Sequence, residues 1–276
     1  MSLTYSSYLE IEKLLELQIP RSGDDWGDAE HDEMLFIVIH QVYELWFKQV
    51  LFELDLLAEL FEGSDGSPPD EEHGFDRTAR IRHTLKRVLT ILKTMVAQVD
   101  ILETMTPISF ASFRTRLDEA SGFQSPQFRE LEFLLGHRRP SMLKYHEGNE
   151  PALERLRRRL AEPTLYQRFL RYLAQNDYSV PEHVFDFDPE SPVVEVPEVR
   201  QELIRIYRED DRLTMVCERL VDLDEGLQEW RYRHVKMVER TIGTKPGTGG
   251  SPGAEYLRST LHHAVFPDLW AIRAEL

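Results

Sequence analysis

The chain has 276 residues, and 49 acidic against 33 basic side chains give it a formal net charge of -16. That length can bury a substantial core, whereas so negative a surface repels nucleic acid and anionic lipid, which excludes both as partners. The single cysteine, Cys217, excludes an internal disulfide and a multi-cysteine metal site.

The first half of the chain shows helical patterns separated by a loop. No basic segment followed by an apolar run marks a secretion signal at the start, and a short helix is predicted over 7–17. Apolar residues at steps of three and four predict helices over 35–50 and 81–102, the second stopped by Pro107. The polar segment 63–74 between them predicts a loop. The longest unbroken apolar run, 34–39, is too short to span a bilayer, so we expect a cytoplasmic protein.

The second half continues the helical pattern. Short helices are predicted over 109–117, 127–135, 151–160, 163–174 and 254–273, and a proline-rich loop over 186–197. A long helix is predicted from Pro197 to Val238, with a bend near Asp210 or Gly226. The segment 193–196 alone resembles a strand, and it lies in the proline-rich loop. The pattern predicts an all-α helical bundle.

Helical bundles often hold metals or cofactors between facing helices, so the ten histidines are the first candidates for chemistry. None of them has a glutamate three residues earlier, as a di-iron carboxylate site requires, and the zinc-protease motif His-Glu-x-x-His does not occur. Two histidines remain that lie within apolar helical faces, His40 and His234.

His40 lies in FIVIHQVYELWFK, where helical spacing places it on one face with Phe36, Tyr43 and Phe47. One interpretation is a core histidine that is bonded to a backbone carbonyl. The other is a polar group inside an aromatic pocket, suited to a flat aromatic ligand that carries one N–H.

His234 lies in WRYRHVKMVER near the end of the long predicted helix. A neutral imidazole there could bind a haem iron, and nearby basic residues could pair with the haem propionates. The same basic residues would also offset the helix dipole, so the pattern alone leaves both interpretations open. The residues concerned are Arg231, Arg233, Lys236 and Arg240.

Two further features suggest ligand binding. The segment 244–253, TKPGTGGSPG, could present backbone N–H groups to an anion or close over a ligand, or it could be a plain flexible connection. It is not a P-loop, because the glycine-lysine-serine ending is missing. Arg114, predicted on a short helix with Phe110 and Phe113, could bind a carboxylate with two parallel hydrogen bonds or be a solvated surface charge.

Taken together, these segments resemble the tryptophan 2,3-dioxygenase family. The most specific stretches are HDEMLFIVIHQ, ETMTP followed by ASGFQSPQFRELEFLLG, and RYRHVKMV followed by GTGG. They occur in the family's order, and with LTYSSYLEIEKLLELQ at the start they span nearly the whole chain.

The resemblance implies a single haem-binding domain over 1–276 that converts L-tryptophan and dioxygen to N-formylkynurenine. It implies haem b as the cofactor, with ferrous iron in the active form. His234 in the RYRH segment would be the iron ligand, and Ser121 and Gly122 in ASGFQS would face the haem.

The resemblance also implies the substrate site. His40 would be the catalytic residue that accepts a hydrogen bond from the indole N–H, Arg114 would hold the carboxylate, and Thr248 would bind the amino-acid moiety as its loop closes. Other residues of the same motifs would line the substrate: Phe36, Ile37, Val38, Ile39 and Phe110.

Members of the family form homotetramers, in which the opening motif of one subunit completes a neighbouring subunit's pocket. In this chain the motif supplies Tyr5, Tyr8 and Leu9. The resemblance therefore implies that a segment of about 20 residues at the N-terminus is exchanged between subunits.

Two positions depart from the family pattern. Ser6 stands where a glycine is usual, and Val42 stands where a small or hydroxyl residue is usual. They leave open a related haem oxygenase that acts on a substituted tryptophan or transfers one oxygen to give an oxindole. A non-catalytic haem-binding module is a third alternative, against which the presence of His40, Arg114 and Thr248 argues.

Overall fold

A computed structural model describes residues 2–23, 29–63, 76–248 and 253–276, and no strand occurs in these ranges. The all-α prediction is confirmed. The α-helices, numbered in chain order, are α1 (Tyr5–Leu9), α2 (Ile11–Leu15), α3 (His31–Glu62), α4 (Arg77–Leu102), α5 (Pro107–Arg114), α6 (Pro126–Leu134), α7 (Glu150–Ala161), α8 (Leu165–Gln175), α9 (Arg200–Glu209), α10 (Asp211–Ile242), α11 (Ala254–Ser259) and α12 (Pro267–Ala271). Short 3-10 helices occupy Thr115–Leu117, Gly122–Gln124, Pro140–His146, Glu182–Phe185, Pro197–Val199 and Ile272–Ala274.

The three long helices, α3, α4 and α10, form the centre of the bundle. Helix α4 packs against both α3 and α10, and buried leucines such as Leu57, Leu85 and Leu220 meet in the main core. Apolar residues at steps of three and four give each helix one apolar face for this packing. Gly226 lies where α10 crosses α4, and a Cβ at this position would come within 2.7 Å of Leu92 Cδ2. The glycine therefore allows the two helices to approach closely.

The long helix predicted from Pro197 is interrupted once. Helix α9 ends at Glu209, and the Asp210 carboxylate accepts a hydrogen bond from the Leu213 amide at 3.0 Å to begin α10. Helix α10 then continues through Gly226 to Ile242. Of the two candidate positions, the helix is interrupted at Asp210 and is unbroken at Gly226.

Two of the shorter predictions need correction. The helix predicted over 7–17 is divided at Glu10, whose φ of 50° is left-handed. The helix predicted over 254–273 is wrong: α11 and α12 are separated by a turn in which His262 has a φ of 64°, and Pro267 starts a new helix. A loop was predicted over 63–74. Its first residue, Gly63, caps α3 with a φ of 72°, and residues 64–74 lie outside the described residues.

Two buried carboxylates attach the C-terminal segment to the bundle. Asp224 on α10 accepts hydrogen bonds from the Val265 and Phe266 amides at 2.8 and 3.1 Å and from Trp270 Nε1 at 2.9 Å. Asp268 accepts one from the Tyr166 hydroxyl at 2.7 Å. Because buried carboxylates require such partners, these bonds fix the segment that follows α11.

Helix α3 is long and apolar enough to cross a membrane by length and composition, and 22% of the window concerned is buried. The core helix of a folded bundle passes the same test. Here α3 packs against α4, α6 and α8. Its Glu33 is buried and accepts hydrogen bonds from the Arg21 and Ser22 amides at 2.8 and 2.9 Å. These contacts identify α3 as a packed helix of the bundle.

Candidate active site and cofactor cavity

A cavity of about 310 Å³ lies between α3, α5, α6, α10 and the segment that follows α10. Its volume falls in the range of ligand pockets, and much of its lining is apolar, with Val99, Leu102 and Met105 among the contributors. Eight of the residues predicted from the sequence line this one cavity: Phe36, His40, Phe110, Arg114, Ser121, Gly122, His234 and Thr248.

His40 contributes an acceptor nitrogen to the cavity. Its Nδ1 lies 2.7 Å from the Phe36 carbonyl oxygen, one helical turn earlier. A carbonyl only accepts hydrogen bonds, so we assign the proton of the neutral ring to Nδ1, which leaves Nε2 unprotonated. Burial lowers the pKa of His40, although the Phe36 carbonyl and Glu44 oppose the shift. The carbonyl bond of the one interpretation and the cavity position of the other are both present, and the ligand of His40 stays a prediction.

Aromatic side chains pack on one side of His40. The Phe36 ring centroid lies 4.0 Å from that of His40 and 5.8 Å from that of Phe110. Phe113 is fully buried beneath them, with its ring centroid 5.6 Å from that of Phe36. Helix α5 begins at Pro107, where the Thr106 hydroxyl caps the Ser109 amide at 3.1 Å, and this start directs the phenylalanines toward α3.

His234 lies on α10 and is stacked on Trp230, one turn earlier, with ring centroids 5.5 Å apart and planes 1° from parallel. Burial lowers its pKa to about 4, and the charges of His40 and Arg231 act in the same direction. The imidazole is therefore neutral near neutral pH. No hydrogen bond joins it to another residue in the described ranges, so a ring nitrogen is available to a ligand.

The segment after α10 is held against the end of α5. Arg114 donates from Nη2 to the Pro246 carbonyl, and the Thr248 hydroxyl donates to the Ala120 carbonyl at 2.5 Å. Gly253, which begins α11, has a φ of 65°, and a Cβ there would come within 2.7 Å of the Lys245 carbonyl oxygen. These contacts bring Thr248 to the cavity wall. Residues 249–252 of the predicted glycine-rich loop lie outside the described residues.

The comparisons with known proteins agree with this geometry. The sequence profile described as tryptophan 2,3-dioxygenase matches residues 1–187 and 200–276. The chain is 54% identical to the tryptophan 2,3-dioxygenase of Herpetosiphon aurantiacus over 275 residues, covering 100% of this chain and 99% of that protein. It is 52% identical to that of Anaeromyxobacter sp. (strain K), with 100% and 97% covered, and 37% identical to that of Pseudomonas fluorescens, with 100% and 92% covered.

The chain belongs to the tryptophan 2,3-dioxygenase family. His234 and His40, to which the resemblance assigned the iron and the indole N–H, line one cavity. Of the basic residues on α10 that the sequence offered as partners of the haem propionates, only some face the cavity. Arg231 lines the cavity, whereas Arg233 bonds to Asp100 and other basic residues of α10 bond to acidic neighbours: Arg240 to Glu103 and Lys236 to Glu239.

Sequence reasoning missed a buried charged cluster in the same cavity. Glu132 on α6 bonds to three arginines that also line the cavity: Arg129, Arg139 and Arg231. Burial alone would raise the pKa of Glu132, but the charges of these arginines lower it to about 2. The signal in the sequence was three charged residues, Arg129, Glu130 and Glu132, among the apolar residues of FRELEFLLG, which belongs to the family motif.

Some residues that the family motif implied do not line the cavity in this chain. Ile39 is buried in a cluster with Leu102, Met105, Phe110 and Phe113. Val38 is exposed and Ile37 is half-buried on α3. Tyr5, Tyr8 and Leu9 on α1 are exposed. The roles of these residues in substrate binding stay predictions.

The two departures from the family pattern lie away from the cavity lining. Val42 is half-buried on α3, and Ser6 lies on α1, where its carbonyl accepts from the Glu10 amide. Neither therefore changes the shape of the cavity as the described part of the chain forms it.

Proposed function

We propose that the chain is a haem-dependent dioxygenase that converts L-tryptophan and dioxygen to N-formylkynurenine. The observation that carries this proposal is one cavity lined by four side chains with different capacities: a neutral ligand nitrogen on His234, an acceptor nitrogen on His40, the cation of Arg114 and the hydroxyl of Thr248. The relatives at 52% and 54% identity over the whole chain bear the name of this activity.

The residues present fit a haem. His234 is a neutral imidazole without a hydrogen-bonded partner in the described ranges, and the adjoining walls supply apolar side chains such as Val235 and Val238. Cys217 is fully buried in the core and does not line the cavity, so it is not available for covalent attachment. These features support a non-covalent haem b that His234 would hold, with ferrous iron in the active form. When bound, haem supplies the redox chemistry that dioxygen needs.

Arg114 and Thr248 are suited to the amino-acid moiety of the substrate. The planar guanidinium of Arg114 can donate two parallel hydrogen bonds to a carboxylate. Thr248 uses its hydroxyl proton on the Ala120 carbonyl. Its oxygen can still accept a hydrogen bond from the ammonium group of the substrate. The two side chains would fix the amino acid and so orient the indole ring.

His40 is suited to the indole. The proton on Nδ1 is held by the Phe36 carbonyl, so Nε2 can accept a hydrogen bond from the indole N–H. The rings of Phe36 and Phe110 provide the apolar contacts that a flat aromatic group requires. His40 would therefore hold the indole N–H at Nε2 while the surrounding phenylalanines exclude water.

We further propose a single domain over 1–276 that assembles as a homotetramer with exchanged N-terminal segments. Leu3, Tyr5, Tyr8, Leu15 and Leu17 are each at least 60% exposed, which is unusual for so many large apolar residues in one short segment. A neighbouring subunit would cover them, and Tyr5, Tyr8 and Leu9 would complete its pocket. A cytoplasmic location suits the buried, reduced Cys217.

The test is the reaction of purified ferrous protein with L-tryptophan and isotopically labelled dioxygen. We expect a product with an opened ring that carries both labelled oxygen atoms, detected by mass spectrometry and by kynurenine-type absorbance. A product with one labelled oxygen and an intact ring would show a monooxygenase instead. Haem-loaded protein that binds tryptophan without giving any product would contradict catalysis.

A further inference from the structure

A second cavity, of about 20 Å³, lies in the main core, and we call it the core void. It lies where four of the helices meet, and its lining includes Leu54 from α3, Val88 and Leu92 from α4, Leu131 from α6 and Leu223 from α10. Within the described part of the chain, only apolar and aromatic side chains line it, and no polar surface faces the space. Protein interiors are close-packed and keep few such spaces, so the position of this one is informative.

The core void and the larger cavity that contains His40 and His234 share one wall. The rings of Phe47, Phe128 and Trp230 line both spaces. The ring centroids lie 5.4 Å apart for Phe47 and Phe128, 6.0 Å apart for Phe47 and Trp230, and 5.3 Å apart for Phe128 and Trp230. Phe47 and Phe128 have no polar side-chain atom, so packing alone holds these two rings in place. A single layer of aromatic rings therefore separates the core void from the larger cavity.

The size and polarity of the core void restrict what it can hold. A space of roughly 10–15 Å³ is enough for one molecule of the size of water. Buried water requires several polar partners, and the lining of the void offers none, so the void does not suit water. Apolar cavities stay dry and take up apolar guests such as xenon. The core void is therefore suited to one small apolar molecule.

We infer that the core void is a binding site for dioxygen, which passes from it to the larger cavity through the layer of Phe47, Phe128 and Trp230. This inference rests on the proposed function, in which dioxygen is a substrate. Dioxygen is diatomic, uncharged and apolar, so its transfer from water into an apolar space is favourable. The segment after α10 is bonded to Arg114 and to Ala120 at the end of α5. Dioxygen held in the core can reach the larger cavity without the opening of that segment.

The first experiment uses xenon as the probe. Crystals of the full chain are placed under xenon pressure, and xenon is located by its anomalous scattering. We expect one xenon atom in the core void, in contact with Val88 and Leu223. Val88→Ile adds one carbon atom from α4 that fills the void, so this variant should lose the xenon. Because cavity-filling substitutions commonly stabilise a protein, its melting temperature should not fall.

The matched control is Val96→Ile. Val96 is buried on the same helix and in the same core as Val88, but it lines neither space. This variant should keep the xenon atom. Val50→Ile fills the void from α3 and should also exclude xenon, so it replaces Val88→Ile if that variant does not fold.

The second experiment measures KM for dioxygen at saturating L-tryptophan. Val88→Ile and Val50→Ile should each raise it about twofold to threefold, a small factor because dioxygen also enters the larger cavity from solvent. Haem content, KM for L-tryptophan and kcat at saturating dioxygen should stay unchanged, since neither valine lines the larger cavity. Val96→Ile should behave like the unaltered protein.

The outcomes separate the inference from the proposed function. If the ferrous protein consumes no dioxygen with L-tryptophan while xenon occupies the core void, the proposed function fails and the site for a small apolar gas stands. If no xenon enters the unaltered protein, the void is a packing defect and the inference is wrong. If xenon binds but Val88→Ile and Val50→Ile leave KM for dioxygen unchanged, the void does not supply the reaction, and the inference is also wrong.

Discussion

The two walls of the cavity are built in different ways. The charged wall, from α6 and α10, contains His234 and the buried Glu132, which bonds to arginines on both helices. The aromatic wall, from α3 and α5, contains Phe36, His40 and Phe110, whose polar contacts are local. Under the proposed function, the charged wall would hold the cofactor and the aromatic wall would position the substrate. Substitutions on the first should change haem content, and substitutions on the second should change KM and kcat.

The largest expected effect is on the charged wall. His234→Ala removes the one imidazole proposed to hold the iron, so the purified protein should lose the Soret absorbance and all activity. The control is His83→Ala, since His83 is exposed on α4 and bonds to Arg87 at 3.2 Å. A His234→Ala protein that retained stoichiometric haem with an unaltered spectrum would disprove the assignment of the ligand.

The second-largest expected effect is on substrate binding, and it should leave the haem content unchanged. Arg114→Ala removes the proposed partner of the substrate carboxylate and should raise KM for L-tryptophan on the order of 100-fold, as two charged hydrogen bonds are lost. Soret absorbance should be unchanged, because Arg114 lies on α5 and not on the wall that contains His234. Arg116→Ala is the matched control, since Arg116 is exposed two residues further along the chain. Loss of haem in Arg114→Ala would contradict the division between the two walls.

His40→Ala tests the aromatic wall through both rate and pH. Removing the acceptor should lower kcat/KM about fivefold to tenfold, the range for a neutral hydrogen bond. Protonation of Nε2 would abolish the same interaction. Burial lowers the pKa of His40, so the acidic decrease in kcat/KM should lie at a lower pH than it would for an ordinary histidine.

The comparison of pH profiles gives this test its control. His40→Ala should lack the decrease that the unaltered protein shows on the acidic side, when both are measured with haem content held constant. If the two profiles coincide, the acidic decrease arises from another group, and the proposed bond to the indole N–H does not govern the rate.

Most of the fold could be predicted from the sequence because helical periodicity is strong where a helix has one buried face. The predictions over 81–102, 127–135 and 151–160 agree with α4, α6 and α7 to within a few residues. The prediction over 254–273 failed partly because it passed over Pro267, a local signal that starts α12. The bonds of Asp224 and Asp268 that hold this segment join residues far apart in the chain, and nothing in the local sequence reveals them.

The site was predictable for a different reason. Periodicity alone left both His40 and His234 between structural and functional interpretations, and the resemblance to a family selected the functional one. Neither approach predicted that Arg233 and Arg240 would turn toward acidic residues of α4 and its C-terminus, or that Glu132 would gather arginines from α6, the segment after it and α10. Such pairings depend on how helices rotate against one another, which a single sequence does not specify.

The smallest expected effect concerns the segment that joins the two walls. Thr248 follows α10 on the charged side, yet its hydroxyl donates to Ala120 beyond α5. Thr248→Val removes the oxygen that would accept from the substrate ammonium group and should raise KM about threefold to fivefold with haem content unchanged. Thr248→Ser keeps the hydroxyl and should behave like the unaltered protein. If the serine variant is impaired as much as the valine variant, the methyl packing of Thr248 matters and not its hydrogen bond, and the segment would then serve only to cover the cavity.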